Sequence, residues 1–240
     1  MGNRMSVSDF RELDFRESFD QPWYHDFTPL GVPTPQPAGI LGPNQLSKQD
    51  ILFDYIKRAI ALSGPDPRGL EMFCADGFFS HYALQHGAAH MTGVDLGEPM
   101  AAGSPVHLLQ AAAMAEQLGH QDRAVFRKQD VYDVEEDYDF VICAGGLYHL
   151  PDPASLLRKI HDNARSALVL QTVYSMTTDS PDYFEAPAPN WTWGCRFSNA
   201  WLLRTLAESG WKVVDSAVNE LTGNPQPKDR GSAYALCVPA

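Results

Sequence analysis

Between residues 69 and 238, short apolar runs alternate with segments of helical period, and this alternation constrains the fold more than any other feature. Strand-like runs stand at 69–75, 90–96, 123–129, 138–144, 166–174, 211–220 and 232–238. Helix-like segments at 78–87, 106–119, 153–164 and 198–210 lie between most of them. Strands separated by helices of this length form βαβ units, which need a parallel sheet with helices on both faces. Only the turn-rich LTGNPQPKDRG separates the last two runs, which predicts an antiparallel edge strand.

Ahead of the alternation, residues 47–63 read as a helix. Ser47 and Asp50 open it like a capping box, and Ile51, Leu52, Tyr55, Ile56, Ala59 and Ile60 form one apolar stripe. Gly64-Pro65 stops it. Prolines at 22, 29, 33, 35, 37 and 43 predict an irregular segment over 21–46, and VSDFRELDFRESF (7–19) predicts a short amphipathic helix. The expected organisation is a helix and proline-rich cap over the active site (1–46), followed by one domain (47–240) with an aromatic lid insert near 175–198.

Composition narrows the class. With 18 Lys+Arg against 30 Asp+Glu, the net charge is −12. Nucleic-acid affinity rests on cations that neutralise phosphates, so a nucleic-acid partner is disfavoured, though a local basic patch leaves tRNA open. No run approaches the ~18 apolar residues of a membrane span, and the N-terminus shows no apolar signal core, so no membrane association and a cytoplasmic location are expected. Cys74, Cys143, Cys195 and Cys237 form no CxxC pair, as expected of reduced thiols. His81, His86 and His90 do not share one helix face, and no metal site is expected.

In doubly wound sheets, ligands bind beyond the carboxyl ends of the strands. The first strand runs into LEMFCADGFFS, with Glu71 in the strand and Gly77 opening the next helix. Phe73 and Ala75 stand where a pyrophosphate loop would want glycines. If position 75 is left-handed, Ala costs roughly 1–2 kcal/mol there. The second strand ends at Asp95-Leu96, with Asp95 24 residues after Glu71, a place suited to a ribose diol. The third ends at Asp130-Val131, and the fourth at Ala144-Gly145-Gly146, where a ligand can lie against backbone, followed by Tyr148 and His149.

Taken in order, LEMFCADGFFS, GVDL, QDVYD and YDFVICAGGLYHLPDP resemble the class I S-adenosylmethionine-dependent methyltransferases over roughly residues 47–240. The resemblance implies a Rossmann-like α/β fold, a seven-stranded, mostly parallel sheet with an antiparallel last strand. It implies S-adenosyl-L-methionine as cofactor. Glu71, Cys74, Gly77 and Ala144 would line its methionine part, Asp95 would hold its ribose hydroxyls, Asp130 and the Val131 backbone would recognise adenine, and Leu96 and Gly145 would also contact the cofactor. The chain departs from the D-x-G-x-G-x-G pattern at Phe73 and Ala75. More narrowly, GGLYHLPDPASLL and PNWTWGCRFSNAWLLRTLAESGW are similar to the tRNA wobble-uridine carboxymethyltransferases, in which Tyr148 and an arginine such as Arg230 would hold an extra carboxylate. Their Arg-Lys-Gly-Pro-Phe-like stretch is missing; TPLGVPTPQPAGILG stands there.

Methyl transfer from a sulfonium is an in-line displacement, served by positioning and a dry aromatic site. His149 is a candidate general base, and the alternative role is to shape the cavity wall; His25 is a second acid/base candidate, and Tyr148 a contact. Trp23, Tyr24, Trp191, Trp193 and Arg196 are candidate substrate contacts in the cap and lid. The expected function is methyl transfer to a small molecule, with an oxygen nucleophile. The alternatives are a tRNA-modifying (carboxy)methyltransferase and a cofactor-binding module without catalysis. The lid closes one copy's site or is shared in a homodimer.

Overall fold

The computed structural model describes residues 21–36, 38–39, 41–96, 107–223 and 225–240. The helix expected over 7–19 lies outside them. Seven strands form one sheet in the order β3-β2-β1-β4-β5-β9-β8. They are β1 (Arg68–Met72), β2 (His90–Asp95), β3 (Ala124–Lys128), β4 (Tyr138–Ala144), β5 (Ala164–Tyr174), β8 (Trp211–Glu220) and β9 (Gly231–Pro239). The first five pair in parallel, and β9 runs antiparallel to both β5 and β8. The chain winds outward through β2 and β3, then returns to place β4 on the other side of β1. That reversal opens a crevice beyond the ends of β1 and β4, where doubly wound sheets bind ligands.

The antiparallel strand is the last one, as expected, but it is not the edge. It lies between β5 and β8. The reason is burial: β9 is buried from Gly231 to Cys237, while β8 alternates exposed and half-buried residues. A run buried on both faces cannot sit at an edge that faces water.

Two apolar layers clothe the sheet. On one face, α1 (Leu41–Leu62), α2 (Phe78–Gln85) and α3 (His107–Gln117) pack with the cap over Phe140, Ile142 and Val169. On the other, α4 (Pro153–Asn163) and α5 (Asn199–Glu208) cover Val141, Leu168 and Leu170. Each terminus of the second pair has a sequence cause. Asp152 accepts from Ser155 N–H at 3.1 Å ahead of Pro153, and Ser198 accepts from Trp201 N–H at 3.0 Å.

Helix α1 starts at Leu41, six residues before the expected Ser47 cap. Pro43 falls in the first turn, where a missing N–H costs nothing, and the Ser47 hydroxyl donates to Asn44 O inside the helix. The segment after β5 carries a ribbon, β6 (Phe184–Glu185) with β7 (Arg196–Phe197), too short to leave a period-two signal. The four-residue α6 (Pro227–Arg230) precedes β9. Among the described residues no helix is long and apolar enough to cross a membrane, and all four cysteines are buried and free.

Candidate active site

The β1 loop governs the site. Phe73, Ala75 and Gly77 all take positive φ, at 58°, 46° and 73°. Left-handed residues alternating with ordinary ones make a tight coil that sends neighbouring side chains in different directions. Cys74 turns into the core, its Sγ 3.0 Å from where a Cβ on Gly93 would lie. Asp76 turns toward the cap and is fully buried. Ala75 N–H donates to Asp95 Oδ2 at 3.1 Å, tying the loop to the tip of β2. The Phe73 ring lies flat against Gly146, where any Cβ would come within 1.9 Å of it. Glycine at 146 is therefore the partner of phenylalanine at 73.

A cavity of about 380 Å³ opens above this loop. Its acidic end is built by Glu71, Asp95 and Asp130. The Glu71 carboxyl accepts from Ser80 N–H at 2.7 Å and from the Ser80 hydroxyl, and burial pushes its pKa up to about 8. Asp130 accepts from Tyr132 N–H at 3.0 Å, capping the turn Val131–Asp133. Gly145, at φ 84°, donates its N–H to Gln171 O at 3.1 Å. Gln171 Nε2 donates to Ser232 Oγ at 2.8 Å, and its buried Oε1 has no hydrogen-bond partner among the described residues.

The cap supplies a second constellation. His25 N–H donates to Asp76 Oδ2 and its ring Nδ1 to Asp76 Oδ1, both at 2.7 Å. A carboxylate only accepts, so Nδ1 carries a ring proton, and in the neutral imidazole the lone pair is on Nε2. The imidazole stacks on Phe78 (4.8 Å, 14°) and borders the cavity. Behind it the Thr34 hydroxyl donates to His25 O at 2.9 Å and accepts from Phe27 N–H at 3.1 Å. The cap loop is thus locked before any ligand arrives.

At the far wall, the turn Leu147–His149 presents Tyr148 and His149. His149 stacks on Trp193 at 5.0 Å and 8°. Burial, then the nearby Arg196 guanidinium, lowers its pKa to about 4. Arg196 lies over the Tyr148 ring at 5.2 Å and is held by Asp229 (Nε–Oδ1 2.6 Å) and Cys195 O. From α1, Lys48 reaches the same cavity and donates to Gln45 Oε1 at 3.2 Å.

The structure therefore brings together Tyr24, His25, Glu71, Asp95, Leu96, Asp130, Val131, Ala144, Gly145, Tyr148 and His149. Seven expected contacts stand elsewhere. Cys74 faces the core. Gly77 serves the start of α2, where an added Cβ would meet Phe126 at 2.5 Å. Trp23 is wholly buried edge-on to Phe27. Trp193 buttresses His149 from behind, and Trp191 packs on Trp193. Arg196 lies beneath Tyr148. Arg230 pairs with Glu220 at 3.0 Å and does not line the cavity. Lys48, Gln45, Asp76 and Gln171 are the functional candidates the sequence reading missed. One signal existed for Lys48: it lies four residues before Leu52, on the buried stripe of α1.

Residues 46–216 match the family described as methyltransferase domain. The chain belongs to this family. A relative in Pseudomonas aeruginosa, a ubiquinone biosynthesis O-methyltransferase, is 32% identical over 108 residues, covering 45% of this chain and 43% of that protein. The chain spans less than half the length of the curated relatives it matches. Among solved structures, the methyltransferase domain superimposes on magnesium protoporphyrin IX methyltransferase from Synechocystis with bound S-adenosylmethionine (TM-score 0.63, 17% identity, 85% of this chain and 86% of that one). It superimposes also on the N-terminal domain of EvdMO1 with bound S-adenosylhomocysteine (TM-score 0.66, 18% identity, 100% of both chains). These likenesses establish the Rossmann-like methyltransferase fold.

The residues present fit the family's cofactor. Gln171 Oε1, an acceptor without a donor beside Gly145, matches an ammonium. The Asp95 and Asp130 carboxylates at the tips of β2 and β3 suit ribose hydroxyls and an adenine amino group.

Proposed function

We propose that this chain transfers the methyl group of S-adenosylmethionine to a hydroxyl oxygen of a small planar acceptor, with His25 as general base. The observation that carries this reading is the buried His25–Asp76 pair in the cavity wall. The sulfonium cofactor supplies an electrophilic methyl group. His25 Nε2 would take the hydroxyl proton of the acceptor whose oxygen receives that methyl group. Asp76 holds the imidazole in the accepting tautomer and stabilises the imidazolium that forms. His149 is a poorer base: with a pKa near 4 it holds a proton weakly. It serves instead as a flat wall, with Tyr148 and Phe79, against a planar ring.

The oxygen acceptor is supported by the O-methyltransferase names of the relatives and by the His25–Asp76 pair in the cavity wall, which can take a hydroxyl proton. A tRNA acceptor is disfavoured by the net charge of −12 and by the pairing of Arg230 with Glu220.

The test is S-adenosylhomocysteine release from the full chain over a panel of phenolic acceptors. On the best acceptor, His25→Gln should lower kcat about 10²–10⁴-fold while S-adenosylmethionine affinity stays within twofold. A His25→Gln enzyme at full rate removes the base. A wild-type chain that does not bind S-adenosylmethionine removes the whole reading.

A further inference from the structure

Among the described residues Lys48 has no counter-charge. It is 6% exposed, lies on the buried stripe of α1 and borders the cavity. Its hydrogen-bond partner is neutral: Gln45 Oε1, at 3.2 Å. An ammonium has three protons to place, and among the described residues only this one acceptor takes any. The Gln45 side chain also lies beside the Tyr24 hydroxyl.

Burial lowers the Lys48 pKa to about 8, which still leaves it protonated at neutral pH. Among the described residues no carboxylate acts on it. It is felt at His149, on the wall backed by Trp193, where Asp95 acts in the opposite sense. The cavity thus holds Glu71, Asp95 and Asp130 near the ends of β1, β2 and β3, and from α1 a cation with no counter-charge among the described residues. Burying a charge without a counter-ion is unfavourable, and a bound anion offsets that cost.

We propose that Lys48, positioned by Gln45, receives a carboxylate carried by the methyl acceptor, so that the acceptor is an aromatic hydroxy acid. This rests on the methyl-transfer reading of the same cavity. A second carboxylate source exists, the methionine end of the cofactor, and the experiment separates the two.

The full chain is saturated with S-adenosylhomocysteine and titrated calorimetrically with 3-hydroxybenzoate and with its neutral isostere, 3-hydroxybenzamide. The acid should bind at least tenfold more tightly. Lys48→Met should abolish that preference and leave S-adenosylhomocysteine affinity within twofold. Lys48→Arg, which keeps the charge, should retain a preference and serves if the Met variant does not fold. Equal binding of acid and amide overturns the proposal, as does failure of both to bind. A tenfold loss of S-adenosylhomocysteine affinity in Lys48→Met, with the acid preference intact, assigns Lys48 to the cofactor and overturns it too. Failure of the wild-type chain to bind S-adenosylhomocysteine is a distinct result, which refutes the methyl-transfer reading itself.

Discussion

Exchanging glycine and alanine within the β1 loop tests how its shape is maintained. Ala75 and Gly77 share a left-handed backbone, at φ 46° and 73°, but differ in the room around them. At Gly77 a new Cβ would lie 2.5 Å from Phe126 Cε1 and 3.1 Å from Ala111 Cβ. The left-handed conformation costs an L-residue roughly 1–2 kcal/mol, and overpacking a core costs about 1–3 kcal/mol more. Gly77→Ala should thus destabilise by about 2–5 kcal/mol, lowering Tm by roughly 4–20 °C at this chain length. Ala75 borders the cavity, so its methyl has less packing to lose. Ala75→Gly relieves about 1–2 kcal/mol of strain, offset by roughly 0.4–1 kcal/mol of added freedom in the unfolded chain. It should therefore lie between neutral and about 1 kcal/mol more stable. Urea and thermal unfolding of both variants read the difference. If Gly77→Ala unfolds within 1 kcal/mol of the parent (about 2–4 °C), or if Ala75→Gly loses as much as Gly77→Ala, neither strain nor the Phe126 contact governs the loop.

Other outcomes follow from the site. Asp95→Ala should weaken S-adenosylmethionine binding about 10–100-fold by calorimetry, because a charged acceptor of two hydroxyl bonds is lost. Asp76→Asn should cut methyl transfer at least about tenfold, with a smaller change in cofactor affinity; unchanged turnover would separate Asp76 from His25 function. Burial raises the Glu71 pKa from 4.5 to about 8, so the folded chain keeps a proton that the unfolded chain has released. Stability should then decline as pH rises across that window, a slope that Glu71→Gln removes. His81 behaves in the opposite sense. Its Nε2 donates to Ala111 O and its Nδ1 accepts from His120, and burial depresses its pKa from 6.5 to about 3. Its contribution is present above about pH 6.5 and is lost as pH falls toward 3, which unfolding curves of His81→Gln against the parent should show.

The alternation of periods decided the sheet-and-helix plan, because each strand and helix carries its own burial pattern. It could not place β9 one in from the edge; that needed the knowledge of which faces are covered, although the even burial of SAYALCV held the clue. The strand-tip acids were legible because a doubly wound sheet puts every parallel strand's end on one rim. Tyr148 and His149 were legible for the same reason.

What the chain could not disclose on its own were meetings between distant segments. His25 and Asp76 are 51 residues apart, and no local pattern pairs them. His149 looked like the better base by its reference pKa, and only burial beside Arg196 makes it a weak one. Lys48 carries no local signal of a site beyond its place on the stripe of α1, and only the docking of α1 places it at the cavity. The sequence by itself determined the order of elements and the residues at the strand ends, since both follow from local periodicity and backbone direction. Tertiary structure alone decided which titratable groups face one another and how dry they are, because pairing and desolvation are properties of the packed chain.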